Sequence, residues 1–414
     1  MKSDNKRYIT CPFCSLHCDD IQIEVKNNKF KIISENIKDC TSKIEYFNIK
    51  NTSNLTAIIQ NKKINFDKAM DSARKMIHKS NDITLVNHGT DVNGVRSLLN
   101  FAASHNCVVD HVNSKYLYRN LGIIQRKGYM ATSLTETRNR SDVVILFGNN
   151  ILKKSPRLID KVIFPKYSLC TNLKNRKLLL VGDFDAQSVK MLKKNKHHVE
   201  HFKIDLNDTP EILTKLMSDD KLSKNLEEIR KIIKKSKYLV ASWTTSDFDK
   251  CNDPDYVISS ISDFILSMNK TSRAACMPIA GSLADATSSQ TMSWITGFPS
   301  RVKFNGKSFF HDRSICDSQE IIRNRNTDLA IHISTVNHNK IVLNDKIKNI
   351  FIGHINSTFN TKPDIFIPVG NPGIDHRGIM FRTDNVVSVL LDKIREIELP
   401  STQDVMNMLS EVDN

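Results

Sequence analysis

The chain has 414 residues, more than a single hydrophobic core usually serves, so two or three domains are expected. With 40% hydrophobic and 25% charged residues it has the composition of a globular protein, which excludes a disordered chain. No apolar run approaches the roughly 18 to 20 residues that span a bilayer. The formal charge of +15 favours acidic partners. However, the basic residues are dispersed, as Lys-Lys pairs at 62–63, 153–154, 193–194 and 234–235, with no aromatic-interleaved stripe. Nucleic acid is therefore not an expected partner. The opening Met-Lys-Ser-Asp-Asn-Lys-Arg has no apolar stretch behind it, so no signal peptide is expected. A cytoplasmic, reducing compartment is the simple reading, with the nine cysteines as thiols or metal ligands rather than disulfides.

Along the chain, short apolar runs alternate with amphipathic stretches. Helical spacing appears at 66–77, 92–103, 225–233 and 257–268. Buried-strand runs fall at 83–86, 107–109, 143–147, 178–181, 238–241, 329–333, 350–353 and 365–369. Continuous apolar strands between amphipathic helices predict parallel sheets covered on both faces. The class is α/β, with at least two sheets. Ligand sites in such sheets gather at the carboxyl ends of the strands. Here those ends read His88-Gly89-Thr90, Gly148-Asn149-Asn150, Gly182-Asp183 and Gly370-Asn371-Pro372-Gly373. None completes a dinucleotide fingerprint or a P-loop.

The most specific local pattern is Cys11-Pro-Phe-Cys14-Ser-Leu-His-Cys18, followed by Cys40. A loop can wrap thiolates at that spacing around one metal, with the fourth arriving from the far end of a short hairpin. Thiolates are soft ligands, so zinc or a [4Fe-4S] cluster at Cys11, Cys14, Cys18 and Cys40 is expected, and the spacing does not choose between them. His17 is read as a bystander. The isolated Cys107, Cys170, Cys251, Cys276 and Cys316 are read as ordinary core or surface thiols.

That cysteine pattern, running on into Asp19-Asp20-Ile21 and a βα unit, resembles the B subunit of formylmethanofuran dehydrogenase, in the class of molybdenum and tungsten bis-pterin oxidoreductases. Further marks follow in order. They are Thr135-Glu-Thr-Arg-Asn-Arg-Ser-Asp-Val-Val-Ile145, Gly148-Asn149-Asn150, Pro156-Arg157, Trp294-Ile-Thr-Gly-Phe-Pro299, Ile367-Pro-Val-Gly-Asn-Pro-Gly-Ile-Asp375, Phe381-Arg-Thr-Asp-Asn385 and Leu399-Pro-Ser401. The resemblance implies a molybdopterin-oxidoreductase-like layout. A small Cys-bearing domain would occupy 1–54, an α/β domain 55–140 and 323–414, and a second α/β domain 141–322 inserted in it.

The departures from the family matter as much. In the dehydrogenases a cysteine followed by a histidine holds the metal just after the strand corresponding to 107–109. Here that pair falls on Tyr116 and Leu117, and no cysteine follows until Cys170. A phenol is a poor substitute for a thiolate on a soft metal, and leucine has no ligating atom. The family's arginine-containing active-site stretch corresponds to 304–310, where Lys303, Lys307 and His311 remain without its pattern. A bis-pterin molybdenum or tungsten centre is therefore not expected, and no catalytic residue is assigned. Within the family the chain is most similar to the B subunit of the bacterial formyltransferase/hydrolase complex. This implies a non-redox scaffold in tetrahydromethanopterin-linked oxidation of formaldehyde to formate. Its partners would be amidohydrolase-like, formyltransferase and C subunits. A working dehydrogenase subunit, and a basic module gripping a polyglutamyl methanofuran-type carrier, are the alternatives.

Overall fold

The computed structural model describes residues 6–26, 29–34, 37, 40–48, 56–194, 197–280, 284–336 and 340–411. Packing divides the chain into two compact units, 1–114 with 282–414, and 115–281.

The first unit is built on a nine-stranded sheet. Five parallel strands form its centre, in the order Val108–His111, Ile83–Gly89, Leu329–Ser334, Lys348–Gly353 and Ile365–Pro368. Every residue of Ile83–Gly89, Leu329–Ser334 and Ile365–Pro368 is buried, the polar Thr84, Asn87, His88, His332 and Ser334 included. Antiparallel hairpins close both edges: Thr56–Ile59 with Lys62–Asn65, and Val302–Asn305 with Ser308–His311. Helix Phe66–His78 begins on Asn65, whose side chain accepts from the Asp67 N–H, and buries Phe66, Ala69, Met70, Ala73 and Ile77. Helix Val92–His105 is capped by Asp91 and ends at Asn106, whose left-handed backbone (φ +55°) an asparagine tolerates. A separate three-stranded antiparallel sheet, Lys6–Ile9, Ile21–Lys26 and Lys29–Ile32, carries the cysteine loop.

The second unit holds a five-stranded parallel sheet in the order His198–Phe202, Lys177–Val181, Val143–Phe147, Tyr238–Trp243, Arg273–Pro278. In chain order this is 3-2-1-4-5, a doubly wound arrangement whose direction reverses between Val143–Phe147 and Tyr238–Trp243. Arg176 is fully buried just before a central strand. It donates to the carbonyls of Ser141, Ile163 and Arg138, so its charge is spread over backbone oxygens.

The α/β class and the parallel sheets are as expected, and all the strands and helices read from periodicity form. The unit boundaries fall elsewhere than the sequence boundaries. The strand Val302–Asn305 pairs with Val108–His111, so the chain returns to the first unit by 282 rather than 323. Helix Leu134–Arg140 packs within the second unit, which begins at 115 rather than 141. The expected junction at 54/55 lies outside the described residues.

A row of buried histidines crosses the first unit's sheet. His88 Nε2 lies 3.0 Å from His332 Nδ1, and His332 Nε2 lies 3.2 Å from Asn349 Oδ1. Since the amide oxygen can only accept, His332 donates from Nε2 and receives the His88 proton at Nδ1, leaving both rings neutral. Burial, reinforced by the neighbouring His332 and His111, holds His88 well below the usual imidazole range. Burial likewise pulls His332 and His354 down to about 4. Such groups take up protons on unfolding, so stability is lost as pH falls below about 6.5 toward 4, by up to about 1.4 kcal/mol per pH unit for each proton. Urea midpoints measured from pH 7.5 to 5 should fall accordingly. His332→Gln should flatten the slope by about one proton.

Candidate functional site

The cysteine loop follows the first strand of the small sheet and closes on itself. The Cys11 N–H donates to the Cys18 carbonyl at 2.9 Å, and the His17 N–H to that of Cys14 at 3.0 Å. His17 takes the left-handed turn (φ +43°) and places Nδ1 3.1 Å from the Cys11 carbonyl oxygen, so its ring braces the loop. Cys40 enters from the chain beyond the third strand. All four thiols are buried, and Cys11 and Cys40 belong to one small core with Phe13, Ile21, Ile23 and Phe47, sealed by Ile374 and Ile394. Burial pushes the Cys11 thiol up to about 12; a hydrogen bond from Phe13 and the charge of Lys43 oppose this, while Cys14 and Cys40 add to it. Cys11, Cys14 and Cys40 are thus close enough to sense one another. Among the described residues, however, no group of three or more His, Cys, Asp or Glu side chains is drawn together tightly enough to hold a metal. The remaining cysteines are dispersed, with Cys107, Cys251, Cys276 and Cys316 buried and Cys170 exposed.

Tyr116, the position that the family resemblance sets opposite the dehydrogenases' cysteine, lies in the second unit, on helix Ser114–Lys127. Tyr116 donates its hydroxyl to Asp249 at 2.5 Å, and Arg119 reaches the same carboxylate at 3.0 Å. Burial, the hydrogen bond to Asp249 and that residue's charge push the phenol up to about 12. It stays protonated and engaged, which is the opposite of what a ligand to a soft metal needs. Leu117 beside it offers no donor. Side chains at this position do not fit a molybdenum or tungsten centre.

At the reversal point of the second unit's sheet, Gly148 takes φ +81° and Asp247 packs over it; a Cβ there would come within 2.3 Å of the carboxyl carbon. Burial lifts Asp247 to about 6 against the Asn150 N–H and the charges of Lys154 and Lys153. Its Oδ2 and the buried Thr244 hydroxyl have no hydrogen-bond partner among the described residues. In the first unit the buried Asn371, at the corresponding end of Ile365–Pro368, has neither side-chain polar atom partnered among them.

Sequence reasoning missed a charged cluster in the first unit. Asp110, fully buried, accepts from Ser300 Oγ at 2.7 Å and from the Ser318 N–H and hydroxyl, both at 3.0 Å. Arg301, also buried, sits 3.8 Å from Asp110 and 2.7 Å from Asp317, and donates to Ser114 Oγ at 3.0 Å. Burial raises the Asp110 carboxyl, with Arg301 and the hydroxyls pulling the other way. His111 accepts the Asn113 N–H at Nδ1 and holds Nε2 3.3 Å from Asp285. An Asp-His pair directly after a buried apolar run was the signal available. The stretch expected to hold an active-site arginine is the hairpin Val302–Asn305 and Ser308–His311. Lys303 there lies 3.9 Å from Asp82, Lys307 is exposed in the turn, and His311 stacks on Phe298. A cavity of about 300 Å³ lies at the amino end of Ile83–Gly89, between Asp82, Asn106, Lys303, Glu320 and Asn324.

These features describe an α/β protein with a doubly wound sheet, a larger mixed sheet and a thiol-rich lobe. Its particular resemblance is to the B subunit of formylmethanofuran dehydrogenase, as the motifs implied. The chain is 21% identical to the B subunit of the tungsten-containing formylmethanofuran dehydrogenase 2 of Methanococcus maripaludis, over 97% of each chain. The same subunit of Methanocaldococcus jannaschii is also 21% identical, over 92% of each. Among solved structures, a chain of the formyltransferase/hydrolase complex from Methylorubrum extorquens, crystallised with methylofuran, shares the fold at a TM-score of 0.70 and 18% identity. The match covers 86% of this chain and 97% of that one. No family model matches. No described helix is long and apolar enough to cross a membrane.

Replacing Arg301 by Met would leave Asp110 buried without its cation. The expected cost is about 3 kcal/mol in urea unfolding, partly recovered when Asp110→Asn is added.

Proposed function

We propose that this chain is the non-redox scaffold, corresponding to the B subunit, of a cytoplasmic formyltransferase/hydrolase complex that acts within tetrahydromethanopterin-linked formaldehyde oxidation, transferring the formyl group, already at the oxidation level of formate, to a carrier and hydrolysing it to formate. Catalysis resides on the amidohydrolase-like and formyltransferase subunits, with a C subunit as further partner and a methanofuran-type carrier as the moving substrate. The observation that carries this reading is Tyr116: where the dehydrogenases supply a cysteine to the metal, a protonated phenol is bound to Asp249. The likeness to a chain of the formyltransferase/hydrolase complex supports it.

The four buried thiols then have a structural part. Zinc or a [4Fe-4S] cluster on Cys11, Cys14, Cys18 and Cys40 would take the thiolates and relieve the burial that pushes Cys11 up to about 12. Bound there, either group contributes folding free energy to a lobe with a small core.

The names of the sequence relatives favour a second reading, a catalytic dehydrogenase subunit with bis-pterin tungsten or molybdenum. One measurement separates the two. The complex, purified without oxygen, is analysed for pterin, molybdenum, tungsten, iron and zinc. The scaffold reading expects no pterin and no molybdenum or tungsten, with zinc or iron lost on Cys14→Ser. Pterin with tungsten or molybdenum near one per chain would overturn it. Normal assembly and unchanged metal content in Cys14→Ser would remove the thiol site alone.

A further inference from the structure

The nine-stranded sheet of the first unit ends on Ser308–His311. This strand joins Val302–Asn305 through a turn at Gly306 and Lys307, with Asn305 opposite Ser308 and Phe304 opposite Phe309. In a two-residue hairpin the closing pair exchanges hydrogen bonds and the next pair does not. Phe304 accordingly turns its N–H away from Phe309, to the Cys107 carbonyl at 3.0 Å. Phe309 therefore aims its own N–H and C=O outward, along an edge that no described strand covers.

Exposed edges are usually blunted by charge, proline or a bulge. This one carries two phenylalanines, Phe309 36% and Phe310 46% exposed. The apolar surface continues beyond the strand. His311, on the same face as Phe309, stacks on the exposed Phe298 at 4.7 Å. A patch of this kind marks an interaction site.

We propose that Ser308–His311 is a docking strand, to which an extended, acidic segment of a partner subunit adds by backbone hydrogen bonds while its apolar side chains cover Phe309 and Phe298. The proposal rests on the complex described above and names where this chain meets a partner. Charge selects the occupant. Lys307 is exposed in the turn, Lys303 behind it is shared with Asp82 at 3.9 Å, and Arg313 lies at the exit beside Asp312, whose carboxylate accepts from the N–H groups of Ser314 and Ile315 at 2.7 Å, so the cations outnumber the acid along the edge. A second copy fits poorly. The antiparallel register that sets Phe309 opposite His311 brings Lys307 against Arg313 of the other copy. Like charges directly opposite are destabilising, and each chain carries +15.

The test uses the chain co-expressed and purified with its partner subunits. Phe309→Pro removes the outward donor together with the aromatic ring, and breaks no hydrogen bond to Val302–Asn305, because the Phe309 N–H makes none there. Lys307→Glu reverses an exposed charge in the turn and leaves the fold untouched. Each variant should weaken assembly by about tenfold or more, and the Phe309 amide should exchange slowly only in the complex. Assembly of unchanged affinity in both variants, with the Phe309 amide exchanging as fast as in the free chain, overturns the docking strand and leaves the scaffold reading standing. A chain that joins no such complex overturns both. Dimerisation of the free chain that Phe309→Pro abolishes overturns the acidic partner in favour of a second copy.

Discussion

Arg301 is held in a left-handed backbone conformation (φ +55°) between two carboxylates, and much of the first unit's edge depends on that arrangement. A buried guanidinium is tolerable only where anions and oxygens surround it. Asp110, at the end of a central parallel strand, and Asp317, at the start of the helix Ser318–Arg323, supply them. The arginine thereby ties three pieces of chain separated by some two hundred residues: the strand Val108–His111, the hairpin that follows Arg301, and the helix beyond it. The antiparallel hairpin is registered against the parallel sheet, and its outer strand is left facing outward. The aromatic edge is a consequence of this ion-paired corner rather than of local propensity.

The same corner explains how a chain can depart from a metal-holding pattern without losing its fold. The parallel strands are specified by buried apolar runs and by the polar side chains satisfied between them, such as His88 with His332 and His332 with Asn349. None of these contacts uses the position of Tyr116. The side chain at Tyr116 can therefore vary while the sheets stay intact, and a fold carries no guarantee of a given chemistry. At Tyr116 the phenol has acquired its own role, donating to a carboxylate that Arg119 also grips.

The thiol lobe presents the opposite case. Its core is small, built from Ile9, Phe13, Ile21, Ile23, Ile44 and Phe47, and it takes Ile374 and Ile394 from the distant C-terminal segment. Four thiols buried there cost little as neutral groups, and the burial that raises Cys11 favours the protonated form. A cation would invert that preference.

How much could be read in advance depended on range. The strands 83–86, 143–147 and 238–241 and the helices near 66–77 and 257–268 were legible because burial imposes periods of two or 3.6 on adjacent residues. The spacing of Cys11, Cys14 and Cys18 is likewise local, and so was the departure at Tyr116 and Leu117. The pairing of Val302–Asn305 with Val108–His111 was not legible, since register between strands nearly two hundred positions apart leaves no periodic trace. For the same reason nothing in the sequence marks where the chain returns to the first unit. Nothing local in the sequence links Asp110 to Arg301; folding buries them together. Local order along the chain was enough to set the elements, the α/β class and the residue types available for chemistry. Which of those residues meet, which stay apart and which edge is left open were settled by long-range packing, where burial must be balanced by partners brought from elsewhere in the chain.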